Sequence, residues 1–261
     1  MIRSLYTAAS GMKAQQFQVD TIANNIANVN TSGFKKSRLS FRSLLYQTYR
    51  EPGLPLANQQ NDVTGLQIGS GTEVSGSRKM MLQGVLEATG NQLDFGVEGE
   101  GFFEIQLPDG QFRYTRNGTF RQDVNGALVT AEGYLLTDQV RIPPETNGIS
   151  VSNDGQVFAL EENNVLTQIG TIRLHIFPNP TGMKAMGGNY FAPTVSSGPA
   201  AARQPGIQGA GSIRQGYLER SNVETVDELV SLIVAQRNYE VNSRAIRVSD
   251  EMLQQVNQLV R

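Results

Sequence analysis

The sequence predicts an α+β protein in which a helix at each end flanks a central all-β domain of short antiparallel strands. Three observations support this prediction. Apolar residues recur every seven positions near both ends of the chain. Between about residues 84 and 211 the pattern changes to short β-prone segments separated by turn dipeptides. A segment rich in proline, glycine and amide residues, 46–71, follows the first helix.

The N-terminal helix is predicted from two apolar columns, which are Leu5, Met12, Val19 and Ile26, and Ala8, Gln15, Ile22 and Val29. At the other end one column runs through Leu232, Tyr239, Ile246, Leu253 and Val260, widened by Leu229, Ile233 and Val256. Periodicity alone leaves two interpretations open: the helices pack on the protein's own core, or they form an intertwined coiled-coil-like tail whose seam is shared between helices or subunits. The narrow stripes and terminal positions favour the second interpretation.

The central domain is predicted from four dipeptides of the hairpin type, Asp109-Gly110, Asn117-Gly118, Asn125-Gly126 and Asp154-Gly155. Such pairs tolerate the positive φ angles of tight turns. The segments 102–107 and 169–177 are short and β-prone, as antiparallel strands require. We therefore assign an all-β domain to residues 84–192.

The segment 46–71 is predicted to be part of an irregular or extended/β connector, because its prolines, amides and glycines argue against regular structure along its whole length. A similar stretch lies at 193–211. The predicted organisation is a helical domain from 1–33 with 221–261, a connector from 34–83 with 193–220, and the outer all-β domain.

Composition excludes several classes of function. With 18% charged residues and a formal net charge of -2, the chain shows no basic face for nucleic acid. No window reaches the roughly 18 apolar residues of a membrane span, and the N-terminus lacks the apolar stretch of a cleaved signal. There is no cysteine and one histidine, His175, in an apolar strand pattern. We therefore expect no cofactor, no metal site and no catalytic residues.

The residues by themselves leave three classes of function open. The leading one is a self-assembling structural protein, because exposed apolar stripes on the terminal helices can form contacts between subunits that do not close into a ring. The second is a monomeric binding module, for instance on peptidoglycan. The third is a glycan hydrolase using Glu98 or Glu100, which would lie on one face of a strand.

An asparagine-rich segment, 23–35, ends the first helix. Asn24 and Asn28 are four residues apart, so their amides lie on one helix face and are placed to hydrogen-bond a neighbouring helix. The alternative is a helix that ends through Asn and Thr with Gly33 as its cap. The two interpretations are compatible.

The segment 23–35 resembles the N-terminal signature of the flagellar rod and hook protein family, carried here by Asn24, Asn25, Asn28, Gly33, Phe34 and Lys35. Residues 99–103, the Asp109-Gly110 pair and residues 114–120 resemble the first part of that family's β-domain. Residues 215–223, leading into 235–240, are similar to its C-terminal signature. The three motifs occur in family order.

Within the family, the connector resembles the extra segment of the distal rod members, here with Tyr46, Tyr49, Pro52, Pro55 and Leu66. Another basal-body rod protein, of the proximal rod, is the alternative. The resemblance implies export into the periplasm and cell envelope by the flagellar type III apparatus without signal cleavage. It implies a rigid helical homopolymer that transmits torque from motor to hook, with terminal helices lining the bore and the β-domain outward. Its implied partners are further copies, other rod proteins and the hook protein, with ring proteins and peptidoglycan as candidates around the tube.

Overall fold

The computed structural model describes residues 2–51, 65–138, 140–144, 146–161 and 166–259. It divides into two compact units. Unit 1 consists of Met1–Ile26, Ser37–Arg78 and Thr225–Arg261, and unit 2 consists of Ala27–Lys36 and Lys79–Glu224. A helix at each end and short antiparallel strands between them confirm the predicted α+β class.

Unit 1 contains two long helices and four strands. They are α1 (Ile2–Ala27), β1 (Ser37–Ser43), β2 (Tyr46–Arg50), β3 (Leu66–Gly69), β4 (Thr72–Lys79) and α2 (Thr225–Leu259). Strand β1 pairs with β4, and β2 pairs with β3. Helix α2 carries Asp227 and Glu228 in its first turn, where the helix dipole favours negative charge.

Helix α1 ends at Ala27, so the prediction that Gly33 caps it is wrong. The chain turns through 28–33 instead, with the Thr31 amide donating to the Asn28 carbonyl at 3.2 Å. The Thr31 hydroxyl also donates to the Asn28 side-chain oxygen at 3.2 Å. Asn, Thr and Ser side chains compete for local hydrogen bonds in this way and end helices early.

Both ends of the segment 46–71 are β-strands, because β2 and β3 form an antiparallel ladder there. Tyr46 pairs with Gly69, and Thr48 pairs with Gln67. Local composition did not indicate which residues pair, because the prolines and amides of the segment dominate it, whereas the residues of β2 and β3 at its two ends are β-prone. Pro52 and Pro55 lie outside the described residues.

Unit 2 is built from short strands and one short 3₁₀ helix, Pro180–Gly182. The strands are β5 (Leu86–Ala88), β6 (Phe95–Glu98), β7 (Phe103–Gln106), β8 (Phe112–Thr115), β9 (Arg121–Gln122), β10 (Leu128–Val129), β11 (Leu135–Leu136), β12 (Thr146–Val151), β13 (Gln156–Glu161), β14 (Leu166–Thr171), β15 (Leu174–Ile176), β16 (Lys184–Ala185), β17 (Tyr190–Ala192), β18 (Ala201–Arg203), β19 (Ser212–Gln215) and β20 (Tyr217–Glu219). The largest sheet has the order β16-β17-β8-β7-β11-β10-β9, beside a β12-β13-β14 sheet and the pairs β15-β18, β19-β6 and β20-β5.

Three of the four predicted hairpin dipeptides are confirmed. Gly110, Gly126 and Gly155 have φ angles of 79°, 77° and 81° and lie between paired antiparallel strands. The prediction for Asn117-Gly118 is wrong, because β8 and β9 do not pair with each other. Gly118 is needed there for space, since a Cβ atom would collide with the Phe95 carbonyl oxygen.

The core of unit 2 is closed and aromatic. Phe95, Val97 and Phe103 are fully buried, and Phe103 meets Phe120 edge-to-face with ring centroids 5.4 Å apart. The predicted strand 169–177 is broken between β14 and β15. Both the backbone amide and the side chain of Arg173 bind Asp138 at that break, each at 2.8 Å.

Candidate assembly surface and buried junction cluster

Helices α1 and α2 meet through polar and small residues. Ser4 and Ser249 bring their hydroxyl oxygens to 3.4 Å. A Cβ atom on Gly11 would lie 2.9 Å from the Asn242 side-chain nitrogen, so the helices approach closely there. As the residue numbers increase along α1, the numbers of the residues that they contact on α2 decrease, so the two helices run antiparallel.

A buried amide completes this contact at the far end of α1. The Asn25 side chain is 2% exposed and donates to a Glu228 carboxylate oxygen at 3.2 Å and to the Ser37 carbonyl at 3.0 Å. Its oxygen accepts from the Ser37 amide at 2.9 Å. Sequence reasoning placed Asn25 in the family motif and gave the cross-helix role to Asn24 and Asn28.

The predicted seam residues lie at or near this contact. Those partly buried are Leu5, Met12, Val19, Ile26, Leu232, Ile246 and Leu253, and Ile22 is fully buried. Tyr239 is 43% exposed and lines, with Val19, Gln16, Gln236 and Glu240, a groove of about 520 Å³. Val260 lies outside the described residues.

A second apolar face of α2 points away from α1. It consists of Val230, Val234, Val241, Val248 and Met252, called here the outer stripe, and every member is exposed. Val241 precedes Asn242 and Val248 precedes Ser249, so each points about 100° from the face that meets α1. Sequence reasoning missed the outer stripe, although Val234, Val241 and Val248 show the same seven-residue spacing as the predicted column.

The β2–β3 hairpin is fastened to α1 by Arg3. Its guanidinium donates to the Gln47 side-chain oxygen at 2.6 Å, to the Tyr49 hydroxyl at 3.3 Å and to the Ile68 carbonyl. The predicted connector residues Tyr46, Tyr49 and Leu66 are all more than half exposed on this hairpin. It therefore presents aromatic and aliphatic side chains outward from a fixed base.

Unit 2 contains a buried ionic cluster of Lys35, Arg116 and Glu219, called here the junction cluster. The Lys35 ammonium lies 2.6 Å from one Glu219 oxygen, and the Arg116 guanidinium lies 3.3 Å from the other. The Gly84 amide also donates to this carboxylate at 2.7 Å. Burial lowers the pKa of Lys35 and of Arg116, while Glu219 opposes both shifts.

The junction cluster draws one residue from each motif noted in the sequence. Lys35 ends the first motif, Arg116 lies in the second and Glu219 in the third. Asn222 extends the cluster, because its side chain donates to the Met80 carbonyl at 2.8 Å and accepts from the Lys36 amide at 2.8 Å. Buried charges need such saturation with partners, which explains why these residue types recur together in the motifs.

The residues considered for catalysis occupy structural positions. His175 is buried in β15, 3.6 Å from Glu104, which also accepts from the Tyr114 hydroxyl at 2.7 Å. Glu98 forms an exposed ion pair with Arg214 at 2.7 Å. Among the described residues, no three His, Asp or Glu side chains converge as a metal site would require. Neither described helix is apolar enough along its length to cross a membrane.

Three family models match the chain at the places where these features lie. Residues 5–35 match a model described as flagella basal body rod protein. Residues 96–159 match the flagellar hook protein FlgE/F/G D1 domain, and residues 214–259 match the flagellar basal body rod FlgEFG protein C-terminal model. The three matched ranges contain Lys35, Arg116 and Glu219 respectively.

Several relatives that match along the whole chain or nearly so are named FlgG. The chain is 45% identical to the flagellar basal-body rod protein FlgG of Borreliella burgdorferi, covering 100% of both chains. It is 43% identical to FlgG of Agrobacterium fabrum over 96% of this chain and 97% of that one. It is 38% identical to FlgG of Bacillus subtilis, again over 100% of both.

Proposed function

Since this chain belongs to the FlgG family of flagellar basal-body rod proteins, we propose that it builds the rod by packing the outer stripe of α2 against a second copy. The protein is a structural subunit of the distal rod in the flagellar basal body. Its family is structural and is not an enzyme family. It assembles with other rod and hook proteins.

The outer stripe is the observation that carries the proposal. Val241 is 61% exposed and Val230 is 56% exposed, and Val234, Val248 and Met252 continue the same face. An exposed apolar patch of this length on a soluble subunit marks a protein–protein interface. A second copy is the occupant we favour, because the relatives that share the whole chain are rod proteins.

The geometry of the polymer follows from the kind of contact. A face of α2 that meets a different face of the next copy makes a heterologous contact, and repetition of such a contact gives an open helical tube. We place the terminal helices, as a coiled-coil-like inner layer, around the bore and unit 2 outward. Export through the flagellar apparatus without a cleaved signal is part of the same proposal.

The connector supplies stiffness in this proposal. Arg3 fixes the base of the β2–β3 hairpin on α1, and Tyr46, Tyr49 and Leu66 remain exposed. A fixed hairpin with apolar side chains opposes sliding between neighbouring subunits, whereas a slack linker does not. A straight rod needs that resistance.

Substitution of one valine tests the outer stripe. Val241→Asp places a carboxylate in the apolar contact, which costs about 3 kcal/mol and weakens each contact roughly 100-fold. We expect loss of motility and of rods in isolated basal bodies, with secretion and the thermal unfolding of unit 2 unchanged. Gln254→Glu is the control, because it adds the same charge to another face of α2. Rods of normal number and length in Val241→Asp cells would refute the proposed contact.

A further inference from the structure

The contact between α1 and α2 repeats every seven residues. Ser4 meets Ser249, Gly11 meets Asn242, and Asn25 meets Glu228. The same step sets Gln18 opposite Ala235, which is buried. We propose that these polar pairs fix the register of α1 against α2 inside one subunit, and so decide where the outer stripe lies in the rod.

The apolar residues of the contact do not define this register. Leu5, Met12 and Val19 repeat every seven residues, as do Leu232, Tyr239, Ile246 and Leu253. If α1 slides by seven residues along α2, each apolar residue meets an equivalent one. Apolar packing therefore leaves several registers close in free energy, the situation that a buried polar residue resolves in coiled coils.

The Asn25–Glu228 pair opposes such a slip in both directions. After a slip one way, Asn25 faces Ala235, which has no side-chain acceptor. After a slip the other way, Asn25 faces residue 221, ahead of the start of α2 at Thr225. In either case the hydrogen bond between the Asn25 amide and the Glu228 carboxylate is lost at a buried position, and the loss of a buried hydrogen bond to a charged group is disfavoured.

Gly11 adds a steric condition to the same register. The Asn242 side chain occupies the space where a Cβ atom on residue 11 would lie, at 2.9 Å. A side chain at position 11 would have to displace the end of the Asn242 side chain, so glycine gives Asn242 its undisturbed fit there. Hydrogen bonding at one end and this fit in the middle select the same alignment independently.

The absence of cysteine from the chain makes the register directly measurable. In the double variant S4C/S249C, two thiols replace hydroxyl oxygens 3.4 Å apart, a spacing that permits a disulfide. The variant S4C/V256C reports a slip of seven residues instead. Oxidation of isolated rods should give at least about ten times more intrachain disulfide with S4C/S249C than with S4C/V256C.

Two further changes test what sets the register. Asn25→Leu with Glu228→Leu keeps the contact apolar, and we expect the native-to-slipped disulfide ratio to fall at least about tenfold. Gly11→Ala should lower the same ratio, and addition of Asn242→Ala should restore it. An unchanged ratio in both the leucine variant and Gly11→Ala would overturn the inference. Interchain instead of intrachain disulfides in S4C/S249C would also overturn it.

This inference rests on the proposed function for its consequence, because a wrong register moves the outer stripe. The proposed contact of the outer stripe and the proposed register can be refuted separately. Normal rods in Val241→Asp cells refute the proposed contact whatever the disulfide ratio. An unchanged ratio refutes the register pairs even where Val241→Asp abolishes rods. If a variant chain forms no rods by itself, the ratio is measured in rods that it forms together with the parent chain, because both cysteines lie on one chain.

Discussion

The helices of unit 1 and the strands of unit 2 distribute their apolar side chains in opposite ways. Unit 2 encloses Phe95, Phe103 and Phe120 in a core without solvent access. Among the described residues of unit 1, the buried hydrophobic side chains are Ala8, Ala14, Ile22 and Ala235. Three of these four are alanines, so the interior of unit 1 is small. Its larger apolar side chains face outward.

This difference separates a unit that is stable by itself from one that depends on neighbours. Most of the stability of a protein helix comes from burial of an apolar face, and a helix without it is marginal in water. Helices α1 and α2 order 26 and 35 residues, yet few of their apolar side chains are fully buried, and polar pairs take part in their mutual contact. Covering the outer stripe with a second copy provides the missing burial.

The largest expected effect is a difference in amide exchange between the two units of the free subunit. In dilute solution we expect amides of β6, β7 and β8 to be protected by on the order of 10³ or more, and those of α1 and α2 by less than about tenfold. In rods both sets should be protected. Hydrogen exchange with mass spectrometry measures this. Strong protection of both helices in the dilute subunit would end the comparison drawn here.

The next largest effect concerns the junction cluster, on which unit 2 depends. Glu219→Gln removes the carboxylate that pairs with the buried Lys35 and Arg116, which should cost roughly 3–5 kcal/mol of unfolding free energy. Urea unfolding followed by near-ultraviolet circular dichroism of the tyrosines measures it. Glu98→Gln breaks the exposed pair with Arg214 and should cost less than about 1 kcal/mol. Equal losses in the two variants would show that the cluster does not hold unit 2 together.

Sequence reasoning succeeded where the signal is local. Asp109-Gly110, Asn125-Gly126 and Asp154-Gly155 carry their own backbone preference, and all three form hairpins. Seven-residue columns likewise identified both terminal helices. Asn117-Gly118 has the same local preference, yet the space beside Phe95 decides its role, and that packing is not readable from neighbours in sequence.

Sequence reasoning failed where residues distant in the chain decide the outcome. The β2–β3 ladder joins residues that are about twenty positions apart in the sequence, and the composition between them does not indicate which residues pair. Lys35, Arg116 and Glu219 lie in three separate motifs, and nothing in a single sequence says that they meet. The seven-residue spacing of the outer stripe is visible in the sequence. The neighbouring column from Leu232 to Val260 has larger residues, and the subunit contact was therefore predicted there instead.

A smaller effect concerns the β2–β3 hairpin, which belongs to unit 1 and is anchored by polar contacts. Arg3→Ala removes the donors to Gln47, Tyr49 and the Ile68 carbonyl. We expect amide protection of β2 and β3 in rods to fall about 5- to 10-fold, the equivalent of about 1 kcal/mol, and the rods to bend more in electron micrographs. Lys13→Ala removes the same charge from α1 and is the control. Straight rods with unchanged protection of β2 and β3 would make the hairpin a slack linker.

The smallest expected effect is a pH dependence confined to unit 2. Burial lowers the pKa of His175 below its usual 6.5, against the opposing charges of Glu104 and Asp138. The unfolded chain therefore takes up a proton near pH 6.5 before the folded chain does. Stability contributed by the neutral ring is present above that pH and is lost as pH falls below it, by at most about 1.4 kcal/mol per pH unit.

His175→Gln should reduce the fall in the melting temperature of unit 2 between about pH 7.5 and 5.5. Calorimetry of the variant and the parent at matched pH measures this difference. The helices of unit 1 contain no histidine, so the protection of their amides in rods, corrected for the pH dependence of intrinsic exchange, should not change over the same range. If the variant loses as much stability as the parent, groups other than His175 account for the pH dependence.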